Sequence, residues 1–137
     1  MGYKPTRILI VEDNPDHAEL MEEVLLKHNN SFEINTVVFG EECLAMLDKV
    51  DYDVVLLDYT LPKLDGLEVL REIIEKGYHV PVIMMTGYED ERIGVEARKL
   101  GAYDCINKSW NYLLTLPFVV EKTIKQYSVA KENEDSF

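Results

Sequence analysis

The chain has 137 residues, enough for one domain around one hydrophobic core, and 47% of them are apolar. Its 26 acidic and 14 basic residues give a formal charge of −12, which argues against a general nucleic-acid binder and against a partner for an anionic membrane. No stretch approaches the roughly 18 apolar residues of a membrane span, and the first apolar run is too short for a secretory leader. Cys43 and Cys105 lack CxxC spacing and read as reduced, packed residues, which points to a cytoplasmic protein.

Short apolar runs alternate with helical patterns. Arg7–Val11 reads as the first strand. Asn14-Pro15 offers a helix cap with Pro at the first helical position, and Ala18, Met21 and Leu25 follow on one face. Phe32–Val38 is rich in β-branched residues and reads as the second strand. Glu41–Val50 is a second helix with Leu44 and Leu47 inward, and Asp53–Leu57 is the third strand. After the loop Leu61–Gly66, Leu67, Leu70 and Ile74 mark the inner face of a third helix that Gly77 ends. Pro81–Met85 is the fourth strand. Ile93, Ala97 and Leu100 line a fourth helix that Gly101 stops. Tyr103–Asn107 is the fifth strand. The last helix carries Val120, Ile124 and Tyr127 on one face, and Pro117 is expected in its first turn, since deeper it would break the ladder. The alternation predicts an α/β sandwich, a parallel sheet with helices on both faces. Residues 6–128 form this domain, and 129–137 are a polar tail expected to fray.

In an open α/β sheet, ligands collect beyond the carboxyl ends of the strands. Those ends hold Glu12-Asp13, Asp58, Thr86-Gly87 and Lys108. Carboxylates gathered there repel one another unless a cation joins them. Mg²⁺ (or Mn²⁺) suits such oxygen ligands. Asp58 can also act as a nucleophile, Lys108 offers a compact positive charge, and Thr86 a hydroxyl. Each residue alone is commonplace: a strand-end Asp is often a turn or cap residue, and a strand-end Lys a solvated charge. The combination at four strand ends carries the signal.

Four stretches, Ile8–Asn14, Val54–Gly66, Pro81–Gly87 and Gly101–Lys108, resemble the response-regulator receiver domains of two-component signalling. The resemblance implies a flavodoxin-like, doubly wound three-layer sandwich with five helices and strand order 2-1-3-4-5. It makes Asp58 the phosphoacceptor, Thr86 the hydroxyl that moves toward the phosphoryl group, and Lys108 the lysine that bonds it. It assigns metal binding to Asp13, Asp58, the backbone carbonyl of Thr60 and, through water, Glu12. The donor is then a sensor histidine kinase or a small phosphodonor. The chain is expected to be a phosphoacceptor rather than an enzyme, read out by a downstream protein target through helix four, strand five and helix five.

The chain departs from the family pattern in two places. Cys105 stands where an aromatic residue usually rotates inward, and Tyr103, two residues and about 7 Å up the strand, is the nearest ring. Ser109 stands where Pro usually follows the lysine. A cis bond without Pro costs roughly 3 kcal/mol, so the Lys108–Ser109 peptide is expected to be trans. Thr60 and Tyr88 lie two residues beyond Asp58 and Thr86, where receivers tune phosphoryl lifetime, and the Tyr88 ring is expected to shield the acyl-phosphate. Trp110 is a candidate contact residue. The reading is a stand-alone receiver with oligomeric state open. Its rivals are a relay intermediate passing phosphate to a histidine phosphotransfer protein, a dehalogenase-type phosphatase (which would want an acid at Thr60), and a phosphorylation-independent binding module.

Overall fold

A computed structural model describes residues 4–87, 91–109 and 111–135. Tyr88 and Trp110, both singled out in the sequence, lie outside the described residues. The chain runs β1 (Arg7–Val11), α1 (Pro15–His28), β2 (Glu33–Val37), α2 (Gly40–Lys49), β3 (Val54–Asp58) and α3 (Gly66–Lys76). It continues through β4 (Val82–Thr86), α4 (Glu91–Leu100), β5 (Asp104–Asn107) and α5 (Tyr112–Asp135). The strands form one parallel sheet in the order β2-β1-β3-β4-β5, as the resemblance implies.

β1, β3 and β4 are continuous apolar runs because both their faces are covered. On one face Leu9, Val11, Val55, Leu57 and Met84 pack against α2, α3 and α4. On the other Ile8, Ile10, Leu56, Ile83 and Met85 pack against α1 and α5. The alternation of side chains along each strand sorts these residues into two cores. β2 is an edge strand, and none of its residues is fully buried.

Local chemistry sets the helix ends. Asn14 caps α1 by accepting from the N–H groups of Asp16 and His17, with Pro15 as the first helical residue. Asp65 and Glu68 form a reciprocal capping box at the start of α3. Gly77 closes α3 in the left-handed region at φ 74°, which a side chain would disfavour.

Several boundaries move by one residue, the usual uncertainty at an element end. Three further expectations are corrected. Pro117 is not in the first turn of α5, because the helix already begins at Tyr112. Tyr112 and Leu113 pack on the second core and Leu116 is fully buried. That burial starts the helix upstream, although Pro117 cannot donate to the carbonyl one turn back. Ile74 is 46% exposed, and Ile73 takes the core position instead; Val69, Leu70 and Ile73 set the inward phase. The Ile74 side chain instead reaches Gly101, where a Cβ would meet it at 2.9 Å. Residues 131–135, expected to fray, continue α5.

Candidate functional site

β1 and β3 lie side by side with Val11 opposite Leu57, so Glu12 and Asp58 come level at the carboxyl edge. Both sit among apolar neighbours and are almost wholly buried, Glu12 at 2% exposure and Asp58 at 5%, whereas Asp13 is exposed. The Glu12 backbone N–H is held by the Val37 carbonyl of β2 at 3.0 Å, and the Tyr59 N–H by Met85 of β4 at 2.9 Å. The strands on either side thus fix where the two acids emerge.

The loop after β3 returns tightly against the strand end. The Gly66 N–H donates to the Tyr59 carbonyl at 2.8 Å. A Cβ on Gly66 would stand 2.7 Å from the Asp58 carbonyl oxygen and from the Tyr59 Cα. Only glycine admits that approach of backbone to backbone.

Carboxylate oxygens of Glu12, Asp13 and Asp58 all lie within 4.8 Å of one another. Lys108 reaches them from just beyond β5. Its backbone N–H is fixed on the Thr86 carbonyl at 2.8 Å. Its ammonium is 3.0 Å from Asp58 Oδ1 and also donates to Glu12 Oε1. The other Asp58 oxygen, Oδ2, accepts the Thr60 N–H at 3.1 Å. Both oxygens of the carboxylate are therefore oriented. The metal-ligand role expected of the Thr60 carbonyl belongs to the proposal below.

Burial pushes the Asp58 carboxyl from its ordinary 3.8 up to about 6, opposed by the Lys108 charge and assisted by Glu12 and Asp13. Burial pulls the Lys108 ammonium down, but the hydrogen bond to Glu12 and the charge and hydrogen bond of Asp58 outweigh it and hold it above its ordinary value. Three carboxylates thus face one ammonium and leave the site with excess negative charge. That donor set, hard oxygens with a net deficit of positive charge, fits a divalent cation such as Mg²⁺.

Thr86 ends β4 and is 3% exposed. Its hydroxyl hydrogen-bonds the Cys105 sulfur, one strand over. Cys105 is half-buried beneath α4, and a Cβ on Gly94 of that helix would stand 3.0 Å from its Sγ. Burial raises the Cys105 thiol above its ordinary value. Tyr103 precedes β5, is 38% exposed, and sets its ring edge-on to Tyr127 with centroids 6.0 Å apart. It therefore packs on α5 and does not take the place of the missing ring at Cys105. No cis peptide occurs among the described residues, so Lys108–Ser109 is trans as expected.

Sequence reasoning missed one neighbour. His17 Nδ1 lies 3.3 Å from the Lys108 ammonium and 3.9 Å from Glu12 Oε1. The available signal was the Asn14-Pro15 helix start, which puts residue 17 on the first turn of α1, four residues past Asp13.

A family model described as response regulator receiver domain matches residues 8–113. The transcriptional regulatory protein TrcR of Mycobacterium tuberculosis is 33% identical over 107 residues, which cover 78% of this chain and 41% of TrcR. The crystal structure of NtrX from Brucella abortus superimposes with a TM-score of 0.87 at 29% identity, over 98% of this chain and 30% of NtrX. The phosphorylated cyanobacterial phytochrome response regulator RcpA gives 0.75 at 31% identity, over 87% of this chain and 91% of that one. The chain spans under half the length of the first curated relatives it matches, 27% to 45%. With the strand order, the acidic edge and the lysine beyond β5 in place, the chain belongs to the response regulator receiver domain family.

Proposed function

We propose that Asp58 accepts a phosphoryl group from a phosphohistidine of a sensor kinase, and that this event switches a protein-binding surface. One observation carries the reading: a buried carboxylate with both oxygens oriented, at an acidic sheet edge beside a single lysine. In the step, an Asp58 oxygen bonds to phosphorus as the bond from phosphorus to the kinase imidazole breaks. The departing imidazole nitrogen takes up a proton. Lys108 transfers its hydrogen bond from the carboxylate to a phosphoryl oxygen and offsets the charge there.

Glu12, Asp13, Asp58 and the Thr60 carbonyl would hold Mg²⁺ or Mn²⁺. When bound, the ion supplies positive charge opposite the phosphoryl oxygens. Its fit rests on the excess of carboxylate over ammonium. The phosphorylated state of RcpA, a structural relative, supports the same reading for this chain.

The chain is then a phosphoacceptor rather than an enzyme acting on a separate substrate. The surface of α4, β5 and α5 is the output face in this reading, where Val95 is 58% exposed and Tyr103 also reaches solvent. A downstream protein, or a histidine phosphotransfer protein that receives the phosphoryl group, is the partner. Among the described residues no helix is long and apolar enough to cross a membrane. The cytoplasm is the compartment this reading assigns.

The test is phosphorylation by acetyl phosphate with and without Mg²⁺, comparing the native chain with Asp58→Asn. Labelling that needs both the ion and Asp58 supports the proposal; equal labelling of the variant refutes it.

A further inference from the structure

We propose that His17 is a positioning residue for phosphoryl uptake, its imidazole Nδ1 tethering the Lys108 ammonium over Asp58. The inference rests on the reading of Asp58 as phosphoryl acceptor and assigns that site a further member.

An ammonium has three N–H donors and no acceptor. Lys108 is 11% exposed along its side chain and meets three acceptors: Glu12 Oε1, Asp58 Oδ1 and His17 Nδ1. Because lysine can only donate, Nδ1 must be the unprotonated nitrogen and Nε2 carries the ring proton. The Lys108 backbone is anchored on Thr86, but four rotatable carbons separate that anchor from the charge. Side-chain acceptors therefore decide where the charge sits.

Two of those acceptors are carboxylates at the acidic edge that also suits a hard cation. Once phosphorylated, Asp58 no longer offers the same anionic oxygen. A hard divalent ion competes for Glu12 as it does for any carboxylate. A neutral imidazole is a poor ligand for such an ion, so His17 is the acceptor that persists through the change. Its own placement is secure. It is the third residue of α1, its backbone N–H accepted by the Asn14 side chain at 3.2 Å. Its side chain is 47% exposed, so replacing it leaves no cavity in either core.

The experiment measures Asp58 phosphorylation by acetyl phosphate with Mg²⁺ at several donor concentrations, using the full chain with His17→Ala and His17→Asn. Asn restores an acceptor near the Nδ1 position. The expected result is a limiting rate about 3- to 10-fold lower in His17→Ala, the range of one lost hydrogen bond, at an unchanged half-saturating donor concentration. His17→Asn recovers most of the loss. Equal rates for the native chain and His17→Ala, or equal loss in both variants, overturn the proposal.

Long-range ¹H–¹⁵N spectra of the native chain read the contact without any phosphodonor. They are expected to show His17 with Nδ1 unprotonated and its signal moved by Lys108→Met. A His17 signal indifferent to Lys108→Met also overturns the proposal. A native chain that takes up no phosphoryl group refutes the reading of Asp58 and the positioning role together. That failure appears before any His17 variant is compared, so the two are distinguishable.

Discussion

Two neighbouring regions of the same sheet edge are built from different materials. At the ends of β1 and β3, Glu12, Asp13, Asp58 and Lys108 form a charged cluster in which buried carboxylates face an ammonium. At the ends of β4 and β5 the contacts are uncharged: the Thr86 hydroxyl on the Cys105 sulfur, and that sulfur beneath Gly94 of α4. The first region keeps the charge pattern of its family; the second departs from it at Cys105 and Ser109. Charges at strand ends have few substitutes, since each must offset the others in a poorly solvated site. A packed contact between strand and helix can be made again with different side chains, at some cost in how it transmits a change.

The largest test of this contrast removes the cation. Lys108→Met should lower the rate of Asp58 phosphorylation by about 10²- to 10³-fold, the range for losing a preorganised charge-stabilising donor. Cys105→Ala, in the uncharged region, should leave that rate within about twofold. Equal effects would erase the distinction between the regions, and single-turnover labelling measures both.

Gly66→Ala attacks the backbone that carries the acid. The added Cβ would lie 2.7 Å from two backbone atoms at the end of β3. A loss of about 1–3 kcal/mol in urea unfolding is expected, as for other overpacked sites, together with weaker Mg²⁺ binding. Stability unchanged from the native chain would mean that the loop can shift freely and that Asp58 is less firmly placed than its contacts imply.

The charged region should also write itself into the pH dependence of stability. The Asp58 carboxyl titrates near 6 in the fold against an ordinary 3.8. Between those values the folded chain binds the proton more tightly than the unfolded chain. The stabilisation from this group is full below about pH 4 and is lost as pH rises through 6. A tenfold change in acid strength is worth about 1.4 kcal/mol, and solvent at the open rim screens part of it. Without divalent ion, Asp58→Asn should therefore be more stable than the native chain by about 1–2 kcal/mol at pH 7.5, and show no such gain at pH 4. Denaturant titrations at the two pH values check the sign.

The smallest effect concerns the uncharged region. Gly94→Ala gains up to about 1 kcal/mol of helix propensity, but its Cβ meets the Cys105 sulfur at 3.0 Å. In a Cys105→Ala background the obstacle is gone. The double-mutant cycle should show Gly94→Ala more favourable there by about 1 kcal/mol; additivity would mean that α4 does not rest on the thiol.

Much of this was legible in the sequence because it is local. The apolar runs of β1, β3 and β4, the Asn14-Pro15 cap and the Gly77 stop each depend on a few adjacent residues. The site acids and Lys108 were legible too, since each closes or just follows a strand. What escaped depends on partners distant in the chain. The early start of α5 ahead of Pro117 follows from Leu116 finding the second core. The exchange of Ile74 for Ile73 follows from the phase at which α3 meets the sheet. His17 beside Lys108, 91 residues away, and Thr86 on Cys105 are meetings that only the folded chain creates.

The central claim is that Asp58 carries a phosphoryl group as an acyl-phosphate. Treating the chain with acetyl phosphate and Mg²⁺, reducing it with borohydride and mapping the peptides by mass spectrometry tests that claim most directly. Reduction of an aspartyl-phosphate leaves homoserine, and the account predicts homoserine at position 58 only when both donor and ion were present. Homoserine at another position, or at none, would contradict it.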